Sequence, residues 1–124
     1  MHITFEQVLA NEEIHTYIEQ SDAVLLSMGY TEHSFPHVQR VAITAAYILE
    51  TLGHDAHTVE LARIAGVLHD IGNLVNRVDH SQSGAVMAFR ILDNMGFSAE
   101  EISVIVTAIG NHDESTGGAK DPLS

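Results

Sequence analysis

The sequence contains no cysteine, which excludes both disulfide bonds and thiolate metal sites. It also has no apolar run long enough to cross a bilayer, and no amino-terminal stretch that resembles a signal peptide. We therefore expect no membrane partner. A reducing cytoplasm is compatible with the lack of cysteine and is the predicted location.

Basic residues are scarce: 5 Lys and Arg stand against 17 Asp and Glu, for a formal net charge of −12. Nucleic-acid affinity comes mainly from Lys and Arg that displace counterions from phosphates, so this balance argues against DNA or RNA as a partner. A small phosphorylated substrate remains compatible with it, provided that a metal ion supplies positive charge locally.

The 124 residues, of which 45% are hydrophobic, suffice for one domain, residues 1–124, with a core of its own. Apolar residues recur at helical spacing, and no strand alternation is present. Thr4–Gln7 and Ser98–Glu101 have the residues of capping boxes, and Asp55 is a further N-cap candidate. The predicted fold class is all-α, a single-domain helical bundle of about five to six helices. The predicted helices are a short one after Thr4, then 11–28, 34–52, 55–68, 81–95 and one after Ser98.

Three expectations concern packing. The helix that ends at Leu68 has little polar surface, so we expect it to be central. The helix before it has an apolar face that we expect to be buried, and residues 72–79 are predicted to be a polar connector. That apolar face consists of Val38, Val41, Ala42, Ala45, Ile48, Leu49 and Leu52.

Metal-competent side chains stand near the ends of four predicted helices, and antiparallel packing would bring such ends to one rim. Imidazole and carboxylate ligands with open positions for water are typical of a catalytic metal site. Their mixture favours Mn, Fe, Zn, Co or Ni over Mg or Ca. The residues are His37 early in the third helix, His69 and Asp70 after the fourth, His80 at the start of the fifth, and His112 with Asp113 after the sixth.

This order of residues on an all-helical background resembles the HD domain superfamily of metal-dependent phosphohydrolases. The resemblance covers about residues 30–118, and its most specific part is the stretch Leu68–Gly72. A second stretch, Asn111–Glu114 followed by Gly117 and Gly118, is similar to the HD-GYP branch, which hydrolyses cyclic dinucleotides.

The resemblance implies one or two divalent transition-metal ions as cofactors. It implies that His37, His69 and Asp70 hold the first ion, and that Asp70 bridges to a second ion held by His80 and His112. His69 and Asp70 are then the catalytic residues. A metal-bound hydroxide would attack the phosphorus atom of a nucleotide or other small phosphoester.

Three departures from the family pattern accompany the resemblance. Asn73 occupies the position where many members have a lysine that holds the substrate phosphate, so Asn73 and, as a substitute cation, Arg77 are the predicted substrate contacts. Asn111 stands where the HD-GYP branch has the first of two adjacent histidines. The family's final Asp ligand, on a later helix, has no counterpart before Ser124, since Asp121 is too close to the preceding motif.

Three hypotheses about function follow. The first is an active metal-dependent phosphohydrolase. The second is a catalytically impaired signalling or scaffolding module that keeps metal or ligand binding. The third is a part of a longer enzyme whose remainder supplies the last ligand. A homo-oligomer is compatible with each.

Simpler roles account for the other histidines. His2, His15, His54 and His57 stand in polar surroundings and are predicted to be surface residues. The structural alternative for His69 and Asp70 is a hydrogen-bonded pair that ends a helix.

Overall fold

The computed structural model describes residues 3–29, 35–75 and 79–110, with side chains from residue 38 onward in the second range. The residues within these ranges form helices joined by short turns, without strands, so the predicted all-α class is confirmed. Among them, no helix is long and apolar enough to span a bilayer. The elements are α1 (Phe5–Ala10), α2 (Glu12–Ser27), α3 (Phe35–Thr51), α4 (Ala56–Leu68), a 3₁₀ turn (Ile71–Leu74), α5 (His80–Met95) and α6 (Ala99–Gly110).

Both predicted capping boxes are present. The Thr4 hydroxyl accepts from the Gln7 backbone N–H, and the Gln7 side chain accepts from the Thr4 backbone N–H. Ser98 and Glu101 make the same reciprocal pair at the start of α6. These bonds satisfy backbone donors that a helix start leaves without intrahelical partners, which is why the sequence locates the starts well.

The α4 helix is central, as predicted. Eight of its thirteen residues are buried, and it packs against α1, α3 and α6. Its approach to α3 is close at Gly66, where an added Cβ would lie 2.8 Å from the Cα of Ala42. His69 and Asp70 follow directly on this buried helix, so the packing of α4 determines where they lie.

The expectation for the apolar face of α3 is only partly correct. Val38, Ala42 and Leu49 are buried, but Ile48 is 49% exposed and Leu52 is 65% exposed. The reason is that α3 packs mainly against a single helix, α4, so only a narrow strip of its surface is covered. Helical periodicity identified the strip and overestimated its width.

The expectation of a polar connector over residues 72–79 is wrong at its beginning. Residues 71–74 form a 3₁₀ turn in which Ile71, Gly72 and Asn73 are buried, and the turn packs against both α2 and α5. The contact with α5 is closest at Gly72, where an added Cβ would lie 1.8 Å from the carbonyl oxygen of His80 and 2.4 Å from the backbone nitrogen of Gly84. Only glycine leaves room for the first turn of α5 at this distance.

We expect Gly72→Ala to lower the free energy of unfolding by about 3 kcal/mol or more, because the added methyl group would meet backbone rather than movable side chains. Urea denaturation measures the change. Gly110→Ala is the matched control, since its Cβ would only touch the Ala85 Cβ at 3.8 Å. An unchanged unfolding midpoint for Gly72→Ala would show that the turn and α5 are not in this contact.

The cap of α4 predicts a dependence on pH. The Asp55 carboxylate accepts from the Thr58 backbone N–H at 2.7 Å, and this hydrogen bond holds the pKa of Asp55 below its ordinary value. A carboxyl whose folded pKa is lowered stabilises the fold fully above its unfolded pKa of about 3.9, and this contribution is lost as the pH falls through the folded pKa.

Asp55→Asn keeps a capping oxygen and removes the titration. We expect the melting temperature of the wild type, relative to this variant, to fall below about pH 4 and to stay level between about pH 5 and 8. Thermal unfolding followed by circular dichroism over pH 2.5 to 8 gives the comparison. A difference that is constant over the whole range would contradict the role of the charge.

Candidate metal centre

The candidate site begins where α4 ends. His69 is the C-cap of that helix, and its Nδ1 lies 2.6 Å from the carbonyl oxygen of Gly66. A carbonyl only accepts, so the imidazole donates through Nδ1–H and its Nε2 points away from the helix. This is the usual arrangement for a metal-binding histidine, because the bond to the carbonyl sets both the tautomer and the ring orientation.

The Asp70 carboxylate lies between two imidazoles. Its Oδ2 is 3.0 Å from Nε2 of His69, and its Oδ1 is 3.2 Å from Nε2 of His80. The three side chains are only 10–12% exposed. Each carboxylate oxygen therefore faces a different ring nitrogen in a place that is largely screened from solvent.

This geometry suits a cation. With Nδ1–H of His69 given to Gly66, a neutral imidazole presents the Nε2 lone pair to Asp70, and two lone pairs at 3.0 Å repel unless a proton or a cation lies between them. Two ligand atoms bonded at about 2.1 Å to one ion at a right angle are about 3.0 Å apart. The donor types and the two pairwise spacings are compatible with part of the ligand set of a divalent transition metal.

The structure brings together three of the five predicted metal ligands, His69, Asp70 and His80. His37 lies in the first turn of α3, but its side chain is outside the described set, as is all of His112. Within residues 3–29, 35–75 and 79–110, no three His, Asp or Glu side chains form a group arranged to hold a metal ion. A complete ligand set would need side chains that the structure does not describe, such as those of His37 and His112, and all five ligand roles stay predictions.

The start of α3 does adjoin the motif. Val38, the residue after His37, lines a small cavity together with Asp70 and Ile71. The helix turn that carries His37 is thus next to the His69–Asp70 turn, although they are 33 residues apart in sequence. This proximity is what the predicted role of His37 requires.

Asn73, a predicted substrate contact, is buried rather than on the surface. Its side chain is 1% exposed, and its amide Nδ2 donates to the carbonyl oxygen of Asp70 at 2.9 Å. In the structure, Asn73 supports the turn that carries Asp70, and its contact with a substrate stays a prediction. Arg77, the other predicted substrate residue, lies outside the described residues.

Sequence reasoning missed Ser21. The Ser21 hydroxyl, on α2, donates to the same Asp70 carbonyl oxygen at 3.1 Å, and its residue is 4% exposed. The available signal was its register, since it falls on the same helix face as Ile14, Ile18 and Leu25. A serine among aliphatic core positions indicates a buried hydrogen bond.

The histidines predicted to be surface residues are confirmed where the structure describes them. His15, His54 and His57 are exposed. His15 pairs with Glu19 one helical turn away at 2.6 Å, and His57 lies 3.3 Å from Glu101 of α6. His2 is outside the described residues.

The all-helical fold carries a carboxylate between two histidines at helix ends. In a comparison with family models, the model described as HD domain matches residues 35–123. The chain belongs to the HD domain family, which is part of a superfamily of metal-dependent phosphohydrolases.

The chain is also similar to an uncharacterized protein of Methanocaldococcus jannaschii, with 24% identity over 106 residues. The similarity covers 73% of this chain and 41% of that relative, so the chain spans less than half the length of the relative. A comparison with solved structures gave no match.

We expect Asp70→Asn to weaken binding of Mn²⁺ at least about tenfold, because it removes the charge that the two imidazoles face. Elemental analysis and titration with Mn²⁺ measure the content and the affinity. Asp79→Asn is the matched control: Asp79 is exposed, and its left-handed backbone (φ 61°) suits asparagine. Equal affinities for wild type and Asp70→Asn would remove Asp70 from the site.

Proposed function

We propose that this protein is a metal-dependent phosphohydrolase that acts on a nucleotide or other small phosphoester. The observation that carries the proposal is the Asp70 carboxylate between His69 and His80, largely screened from solvent and at the ends of two helices. Membership of the HD domain family supports the same chemistry.

The proposed cofactors are one or two divalent transition-metal ions. His37, His69 and Asp70 would hold the first, and Asp70 with His80 and His112 the second. Support for a bridging role comes from the two Asp70 oxygens, which face two different imidazoles. Such ions lower the pKa of coordinated water and stabilise negative charge on phosphoryl oxygens.

The chain's own residues orient the site. The Gly66 carbonyl keeps the proton of His69 on Nδ1 and leaves Nε2 as a ligand atom. The close contact of Gly72 with the first turn of α5 holds His80 beside Asp70. The low exposure of the three side chains limits access of water, which strengthens electrostatic interactions among them.

The substrate is proposed to be small and anionic. A net charge of −12 disfavours a nucleic-acid partner, whereas a metal ion would offset the charge of a single phosphate group. A cyclic dinucleotide, as in the HD-GYP branch, is one member of this class. Contacts to Asn73 and Arg77, a cytoplasmic location and a homo-oligomer stay predictions.

A second candidate function is a binding module with the HD fold, metal-loaded and without turnover. The observation that favours it is Asn73, which stands where many family members have a phosphate-binding lysine and whose amide is directed inward to Asp70. This position therefore contributes no cationic contact to a substrate phosphate.

A panel of nucleoside phosphates and cyclic dinucleotides, assayed for release of phosphate or ring opening with Mn²⁺, distinguishes the two candidates. We expect turnover by the wild type and a loss of more than about a hundredfold for His69→Ala, because even outer-shell partners of a metal cost about 10–100-fold. His54→Ala is the control, since this histidine is exposed and outside the site.

The contrary outcomes are distinct. Binding of a panel member without turnover, in protein that holds metal, would favour the module. Metal content near zero after reconstitution of the wild type would refute both candidates.

A further inference from the structure

The backbone of the turn that carries His69 and Asp70 is held from two sides. Three donors meet the carbonyl oxygen of Asp70: the Ser21 hydroxyl at 3.1 Å, the Asn73 amide at 2.9 Å and the Asn73 backbone N–H at 3.1 Å. Two of them belong to the turn itself. The third comes from α2, 49 residues earlier in the chain.

Ser21 stands on the core face of α2, where Ile14, Ile18 and Leu25 are at most 3% exposed. A hydroxyl in such a position costs free energy unless it is hydrogen-bonded, and its bond goes to Asp70. The residue is therefore placed to act on the motif rather than to fill the core.

The packing around Asp70 leaves one small gap. A small cavity, lined by Ser21, Asp70 and four apolar residues, lies where α2, α3 and α4 approach the motif. A gap in a core removes dispersion contacts from the groups around it, so the direction of the Asp70 backbone depends more on its hydrogen bonds.

We propose that Ser21 is a positioning residue for the metal centre: it holds the Asp70 backbone so that the carboxylate stays between His69 and His80. The proposal rests on the proposed function. Since the family model begins at residue 35, this contact comes from a part of the chain that the model does not cover. The amino-terminal helix α2 then contributes to the site without providing a ligand.

Ser21→Ala removes the hydroxyl at nearly constant size, and Ser27→Ala is the matched control. Ser27 is on the same helix, is exposed, and donates to the Val24 carbonyl within α2. Titration with Mn²⁺ at fixed pH gives the dissociation constant. We expect it to rise about tenfold in Ser21→Ala and to stay unchanged in Ser27→Ala.

A second measurement, hydrogen–deuterium exchange of the metal-free proteins, tests the position directly. We expect the segment 69–74 to exchange several-fold faster in Ser21→Ala than in Ser27→Ala, because opening of the turn no longer breaks the bond to α2. Ser21→Thr, which keeps a hydroxyl, is expected to restore slow exchange and the wild-type dissociation constant.

The outcomes separate the two proposals. If the wild type binds Mn²⁺ and Ser21→Ala binds it equally well, Ser21 has a structural role only and the inference is wrong. If the wild type binds no metal, the proposed function fails and Ser21 has no metal centre to position. Exchange then tests only the contact with the turn: equal rates in the two alanine variants would show that Ser21 does not hold the Asp70 backbone, and faster exchange in Ser21→Ala would show that it does.

Discussion

The close contact between Gly72 and the first turn of α5 is the constraint on which the site depends. The chain leaves α4 at Leu68, makes a short 3₁₀ turn, and meets the backbone of His80 and Gly84 with no space for a side chain at Gly72. This approach brings His80 beside Asp70. A wider turn would move the start of α5, and with it His80, away from Asp70.

The buried polar groups of the site form one connected set. The Gly66 carbonyl accepts from Nδ1–H of His69, the Asp70 carboxylate faces Nε2 of both histidines, and the Asp70 carbonyl oxygen accepts from Asn73 and Ser21. Groups that are largely screened from water are costly without such partners, and removal of one would leave the others unsatisfied. These contacts restrict the orientations of the candidate ligand atoms, which favours a ligand set with defined geometry.

The carboxylate and the carbonyl of Asp70 are held by different parts of the chain. The carboxylate is held by the ends of α4 and α5, which lie inside the region that the HD domain model matches. The carbonyl is held partly by Ser21 of α2, which lies outside that region. The side chains of the candidate site thus lie inside the matched region, while part of the support of the Asp70 carbonyl comes from outside it.

The sequence by itself determined the helices and most of their ends, because capping boxes such as Thr4 with Gln7 and apolar spacing act within a few residues. It also indicated the polar pair after α4 and the histidine that opens α5. Only the tertiary structure decided that Ile48 is exposed, that residues 71–74 form a buried turn and that Ser21 reaches Asp70. These features depend on which helices meet and how closely, and such contacts join residues too far apart in the chain for a local pattern to encode.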